Sequence, residues 1–384
     1  MPTPLARRNL LHNKMRTTVA AAGVAFAVVL IFMQLGFLGA VADTAVLIYN
    51  ALRFDICIRS REYLHLSDAR TFPVGRLNQA ATVQGVAGTT PFYISLNQWR
   101  IPRMGEQRGI LVMGVDPADP ALTTPSILEN LPRLSTPDRL LIDTRTRHEF
   151  GPIEGRKFSA SDIGQRTEIA DRAVTIAGTF TLGTGLAANG AVVLTSRGYS
   201  RVTPGQPLDR LNLGLIHLAP GADVEEVAAR LRSALPPDVA VLTRQEALDW
   251  EYDRWIWKTS FGLIFQLGAA VALIVGTAIV YQVLSSDIAN LIGEYATLKA
   301  MGYRNRFLIG VVLQQAVYLA ILGYVPGLIL SELLYRTTSF LAGVTIRMTV
   351  FNITLVLVLA LTMCIFSGLA AVRTVLAADP ADLY

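Results

Sequence analysis

The chain has 384 residues, 52% of them hydrophobic and only 16% charged, and its mean hydropathy is +0.42. A soluble globular domain carries about 25% charged residues, so these values argue against an ordinary soluble enzyme and for a membrane protein. The net charge of +5 comes from dispersed Arg without interleaved aromatic residues, which argues against nucleic acid as a partner.

Residues 1–16 form a basic, partly apolar lead-in. Arg7, Arg8, Lys14 and Arg16 place the amino terminus in the cytoplasm. This amphipathic segment reads first as an interfacial anchor and second as a contact surface for a cytoplasmic partner. Residues 17–42 contain no Asp, Glu, Lys or Arg. That run exceeds the roughly 20 residues needed to cross a hydrocarbon core, so a first transmembrane helix is expected over 17–47. It is too long for a signal peptide and no small-residue cleavage site bounds it.

An extracytoplasmic α+β domain is expected over 48–250. Strands are read at 54–59, 91–101, 110–115, 139–143 and 173–180, with a short helix at 76–83. Its last third is a strand at 213–218, a helix capped by Asp223 with Glu226 completing a capping box, and a strand at 239–242. A strand–helix–strand unit of this length suits a ferredoxin-like domain. Thr243 with Glu246 repeats the capping signature. From about 243 a stalk helix is expected to run unbroken through Trp250, Trp255 and Trp257 into the second span, with the Trp residues at the outer interface.

Three further charge-free stretches, 259–286, 307–331 and 348–372, predict spans at 256–286, 307–332 and 348–373. A short outer loop is expected at 333–347 and a cytoplasmic tail at 374–384. Lys299, Arg304 and Arg306 favour the side that holds the amino terminus, so both termini are expected in the cytoplasm. The fold class is therefore a membrane protein of four transmembrane α-helices, with an α+β periplasmic domain inserted between helices 1 and 2. Pro326-Gly327 in the third span is either a kink or an ordinary allowance in a membrane helix. Cys57 and Cys364 are too far apart in this topology to pair.

Residues 287–306 form a polar island between two apolar runs. Ile288, Leu291, Ile292, Tyr295 and Leu298 recur at helical spacing, and Gly302 follows Met301 where a helix-ending left-handed residue fits. A short amphipathic helix held at both ends by membrane spans can transmit a push from a partner. It is read here as a coupling helix, against the plainer reading of an interfacial anchor.

Other chemistry is missing. None of the four Lys follows a Gly, so no Walker A loop is present. Residues 183–190 resemble a dinucleotide loop but lack the third Gly at the required spacing. The four His show no metal-ligand spacing, and His148-Glu149 near Asp143 has no nucleophile motif beside it. The spans carry ionisable groups only at their edges, Glu332 and Arg373, which argues against a proton-coupled carrier. No catalytic, cofactor-binding or metal site is expected.

One span, a large outer domain and three further spans resemble the MacB/FtsX-type permeases of ATP-binding-cassette systems, the type VII transporters. Three stretches carry the likeness: residues 6–10 (Ala-Arg-Arg-Asn-Leu) with 14–16, the run Glu294 to Gly302, and residues 379–383 (Asp-Pro-Ala-Asp-Leu). Within the family, residues 113–117, 180–190, 213–218 and 376–382 resemble DevC-like permeases of glycolipid-type exporters. The resemblance implies an export permease that hydrolyses no ATP and binds no cofactor, ATP being used by a cytoplasmic ATPase subunit. It also implies a homodimer, a periplasmic adaptor, a TolC-like outer-membrane channel and a lipid-like substrate drawn from the bacterial inner membrane. Leu291, Glu294, Tyr295, Leu298, Lys299 and Met301 would meet the ATPase, with Gly302 setting the turn and Asp379 and Pro380 forming a tail contact. FtsX-like regulation of cell-wall hydrolases and lipoprotein release are the alternatives the same frame allows.

Overall fold

The structure, a computed structural model, describes residues 14–102, 105–151, 156–183, 189–290, 292–342 and 346–377. The chain divides into two compact units: Met1–Ala40 with Ser260–Tyr384, here the membrane unit, and Val41–Thr259, the outer unit. Helix α1 (Lys14–Ala45) is apolar around its whole circumference, as a helix surrounded by hydrocarbon or other helices must be. Helix α2 (Leu47–Ala51) follows it.

The outer unit continues as β1 (Ile56–Ser60), β2 (Phe72–Pro73), α3 (Gly75–Ala81), β3 (Val86–Arg100), β4 (Gln107–Val115), α4 (Pro125–Leu128) and β5 (Arg139–Asp143). Next come β6 (Arg166–Ile169), β7 (Arg172–Phe180), β8 (Ala191–Thr195), α5 (Ser196–Val202), β9 (Arg210–Leu211) and β10 (Leu213–Leu218). It closes with α6 (Val224–Ala234), β11 (Val239–Thr243) and α7 (Arg244–Trp257).

Nine strands form one sheet in the order β11-β1-β10-β3-β4-β8-β5-β7-β6, and β2 pairs with β9 apart from it. The pairings among β11, β1, β10 and β3 are all antiparallel. With α3 on the path from β1 to β3 and α6 between β10 and β11, this is the β-α-β-β-α-β order of a ferredoxin-like layer. The expectation drawn from residues 213–242 therefore holds for the layer.

The remaining strands are an insertion between β3 and β10. In it β6 pairs back onto β3 through Trp99↔Ile169, so six strands close on themselves. Closure removes the free edge that an open insertion would expose. Strand β3 has 15 residues and serves both halves. Trp99 is fully buried, donates to the Phe150 carbonyl at 3.1 Å and meets Phe158 edge-on.

Sequence reading missed β6, β8 and α5. Strand β8 (Ala-Val-Val-Leu-Thr) carried a visible signal, since a buried run rich in β-branched residues is what a strand covered on both faces looks like.

Two local expectations need correction. The Asp223 side chain accepts from the Glu226 N–H, but Glu226 pairs with Arg230 one turn on, so this capping box is only half formed. Thr243 and Glu246 do form the complete box.

The stalk is also not one helix. Helix α7 stops at Trp257, Lys258 flattens to φ −113° and ψ −2°, and the Thr259 hydroxyl takes the Trp255 carbonyl at 2.6 Å. A side chain bonding back to the last turn ends the ladder where the apolar run begins. Trp250 packs on Tyr63 and Trp255 on His65, while Trp257 is exposed.

The membrane unit adds α8 (Ser260–Asn290), α9 (Ile292–Ala300), α10 (Asn305–Ala342) and α11 (Val350–Ala377). Helices α1, α8, α10 and α11 are long and apolar enough to cross a membrane. Helix α10 carries Pro326 without interruption, and it continues through Glu332 and Arg336, which pair one turn apart, to Ala342. The outer loop expected at 333–347 is thus largely helix. Small residues bring α10 against α1: a Cβ on Gly323 would lie 2.8 Å from the Ala21 carbonyl, and one on Gly327 would lie 2.8 Å from Val28. Such close approach is how membrane helices gain packing energy without a hydrophobic drive. Both cysteines are free and buried.

Candidate functional site

The polar island at 287–306 is helical at 287–290 and 292–300 and turns into the next helix at Asn305. Residues 287–290 extend α8, α9 spans Ile292–Ala300, and α10 opens at Asn305. Both stretches are helical, as expected for the segment, and the Asn290 side chain donates to the Ser286 carbonyl. Ile288 is buried in the core of the membrane unit and Leu298 packs against the same core.

The end of α9 is built by residues 298–303. The Tyr303 N–H reaches the Leu298 carbonyl at 3.1 Å and the Gly302 N–H the Lys299 carbonyl at 3.0 Å. These are the two bonds of a Schellman motif, and they require a left-handed residue, which Gly302 supplies at φ +89°. The Tyr303 ring packs at a tilt of 35° against Phe307, with centroids 4.9 Å apart, at the re-entry into α10.

Glu294, Thr297 and Met301 are exposed and fall at i, i+3 and i+7, so they form one outward stripe, with Met301 63% exposed. Tyr303, Arg304 and Arg306 are exposed beside it in sequence. Glu294 lies in the first turn and Lys299, half-buried, in the last, the order that complements the helix dipole. Leu291, the Tyr295 side chain, Asp379 and Pro380 lie outside the described residues. What this arrangement offers is a rigid knob with a charged and apolar face, suited to protein contact and not to bond chemistry.

A second surface was not legible beforehand. Along α8, Ile264, Leu267, Val271, Ile274, Ala278 and Tyr281 are exposed at alternating spacings of three and four. That is the period of a two-helix seam. Only 17% of the apolar window of α8 is buried, against 44–50% for the other three spans.

The outer unit offers no catalytic constellation at the position considered. Asp143 is fully buried and accepts the backbone N–H groups of Arg145, Leu182 and Gly183. Burial raises its carboxyl despite those donors, and its role is to clasp a loop. Glu149 is engaged by Arg108 at 3.3 Å. Among the described residues no group of three His, Cys, Asp or Glu is placed to hold a metal.

Sequence reading also missed a buried ionisable cluster. Glu251 on α7 is fully buried, Arg59 on β1 is nearly so, and Tyr49 and Tyr63 join them. The signal was present: Ala247 and Glu251 stand four apart on the inner stripe of α7, where an apolar residue is expected.

Residues 267–380 match the family described as FtsX-like permease C-terminal. No curated protein matches the chain. Solved structures that resemble it include the periplasmic region of MacB from Actinobacillus actinomycetemcomitans, 9% identical, covering 52% of this chain and 94% of that one with a TM-score of 0.34. Another is the extracellular domain of the noncanonic ABC-type transporter YknZ from Gram-positive bacteria, 13% identical, covering 50% and 100%, TM-score 0.33. A third is a domain of a putative permease protein from Porphyromonas gingivalis, 15% identical, covering 50% and 88%, TM-score 0.31.

Proposed function

We propose that this chain, whose residues 267–380 match the family described as FtsX-like permease C-terminal, is the membrane subunit of an ATP-driven type VII exporter. A separate cytoplasmic ATPase subunit grips the knob of α9, and its ATP-driven movement is passed through the spans to the outer unit. The chain itself hydrolyses no ATP and binds no cofactor. Both termini and the knob face the cytoplasm of a bacterial inner membrane, and Val41–Thr259 lies in the periplasm. The observation that carries this reading is the α9 knob: an exposed stripe of Glu294, Thr297 and Met301 on a helix closed by Gly302, lying between two apolar helices within the family-matched stretch.

The seam on α8 supports a homodimer in which two copies pair their second spans. In the finer reading the outer unit works with a periplasmic adaptor and a TolC-like channel to move a glycolipid or similar hydrophobic substrate out of the membrane. The DevC-like segments noted in the sequence motivate that assignment.

The test is the double variant Glu294→Ala, Lys299→Ala, reconstituted with the ATPase. It should insert normally and lose stimulation of ATP hydrolysis and transport together; unchanged stimulation and transport would refute the coupling role. A mild-detergent pull-down separates the finer readings. An ATPase with an adaptor supports export, whereas an ATPase with a cell-wall hydrolase or its activator and no adaptor supports regulation.

A further inference from the structure

Helix α7 is held within the outer unit by a carboxyl group where packing alone would place an apolar side chain. Ala247 and Glu251 lie one turn apart and are both fully buried. Glu251 Oε1 accepts from the Tyr63 hydroxyl, which in turn accepts from the Tyr49 hydroxyl of α2 at 3.3 Å. Glu251 Oε2 has no hydrogen-bond partner among the described residues, and neither has Arg59 Nη1. The Arg59 guanidinium, 4% exposed, sits 4.2 Å from the centre of the Tyr63 ring and 3.9 Å from that of Trp250.

Every element around the carboxyl can be assigned. From β1 come Arg59 and the Cys57 thiol, from α2 Tyr49, and from the segment after β1 Tyr63. From α7 itself come Trp255 and Arg254. Strand β11, against which α7 also packs, carries no titratable side chain. Glu246, one turn earlier on α7, is engaged by Arg232 and by the Thr243 N–H. The carboxyl is thus faced by the Tyr63 hydroxyl, the Trp255 indole N–H and two guanidinium groups, and among the described residues by no second carboxylate. Removing one partner from a buried charge is strongly destabilising, and an ionised carboxylate with Oε2 left without a hydrogen bond is already short of partners.

We propose that Glu251 is a proton-dependent latch: protonated, it holds α7 on β1 and on the segment bearing Tyr63, and ionised, it loosens that contact and frees the helix that precedes the second span.

Chemistry and sign agree with the geometry. Burial pushes the Glu251 carboxyl up to about 7, against the lowering pull of Tyr63, Arg59, Trp255 and Arg254. A carboxyl raised on burial contributes stability that is complete below its ordinary value of 4.5 and is lost as pH climbs through about 7. The shift corresponds to a change of about three hundredfold in the docking equilibrium. The consequence for coupling rests on the permease reading, but the latch itself does not.

Amide hydrogen exchange of residues 245–257 tests it in the full chain in lipid nanodiscs, from pH 5.5 to 8.5, corrected for intrinsic rates. Protection of α7 should fall at least tenfold with a midpoint near 7. Glu251→Gln is neutral at every pH and still accepts from Tyr63, so it should remain protected and lose the step. Tyr63→Phe removes the donor to the carboxylate and should move the midpoint to higher pH. A wild-type chain without a step overturns the latch. So does a step that survives in Glu251→Gln, or a loss of protection in that variant at every pH, since a merely structural residue behaves that way. If Glu251→Gln does not fold, an unmoved midpoint in Tyr63→Phe overturns it alone. Failure here leaves the Glu294 and Lys299 test standing, and failure there leaves the latch standing.

Discussion

In the outer unit the largest buried side chain, Trp99, is enclosed by a closed ring of strands and gives its N–H to a carbonyl. In the membrane unit the tight contacts are made by absent side chains, with Gly323 and Gly327 letting α10 settle on Val24 and Val28 of α1. The two regions cohere for different reasons. Water drives apolar area together in the first, at about 25 cal/mol per Å². Lipid gives no such drive, so the second relies on close packing and a few hydrogen bonds. The same substitution chemistry should therefore act with opposite sense in the two halves.

The largest effect should come from emptying the outer core. Trp99→Ala leaves a cavity and orphans the Phe150 carbonyl, a loss of about 3–5 kcal/mol. Limited proteolysis on a temperature ramp should show Val41–Thr259 cut at lower temperature while the membrane helices keep their far-ultraviolet signal. Next is an insertion that would be benign by hydropathy alone. Gly323→Val makes α10 more apolar, yet its Cβ would meet the Ala21 carbonyl at 2.8 Å. Overpacking of this kind costs about 1–3 kcal/mol. The denaturation midpoint in sodium dodecyl sulfate should fall with insertion unimpaired, and an unchanged midpoint would break the contrast.

A third, smaller effect compares two caps inside the outer unit. Thr243→Ala removes a complete capping box and should cost about 1 kcal/mol, read as faster amide exchange in the first turn of α7. Asp223→Ala removes only the forward bond at α6, since Glu226 is held by Arg230, and should cost less.

How much of this was legible depended on the range of the interaction. The four spans were plain because hydrocarbon excludes charge over more than 20 residues, a local and strict condition. The strands at 139–143 and 213–218 and the caps at Asp223 and Thr243 were readable within a few residues. The return of β6 to β3 was not, because Trp99 and Ile169 pair across a long stretch of chain and leave no local pattern. At the candidate site Gly302 announced its turn, since only its left-handed conformation lets both Schellman bonds form. Glu251 was visible only by asking why a carboxylate stands on an apolar stripe.

The smallest predicted effect isolates a single hydrogen bond in the membrane unit. Tyr335 is almost fully buried and its hydroxyl donates to the Phe32 carbonyl across the α10–α1 contact. Gly36 makes room for the ring, since a Cβ there would approach Tyr335 Cε1 to 2.7 Å. Tyr335→Phe keeps the ring in that recess and deletes only the hydroxyl, so packing stays constant. In water-driven cores an orphaned buried acceptor costs about 1–3 kcal/mol. Between membrane helices the average is about 0.6 kcal/mol, because the separated helices also find partners for their polar groups. The Phe32 carbonyl retains its place in the α1 ladder, which favours the lower figure. A shift in detergent-denaturation midpoint equivalent to about 0.6 kcal/mol would sharpen the contrast between the two regions. A shift near 3 kcal/mol would mean that α10 and α1 are held by polar contact as strongly as the outer core, and the glycine argument would then carry less of the packing.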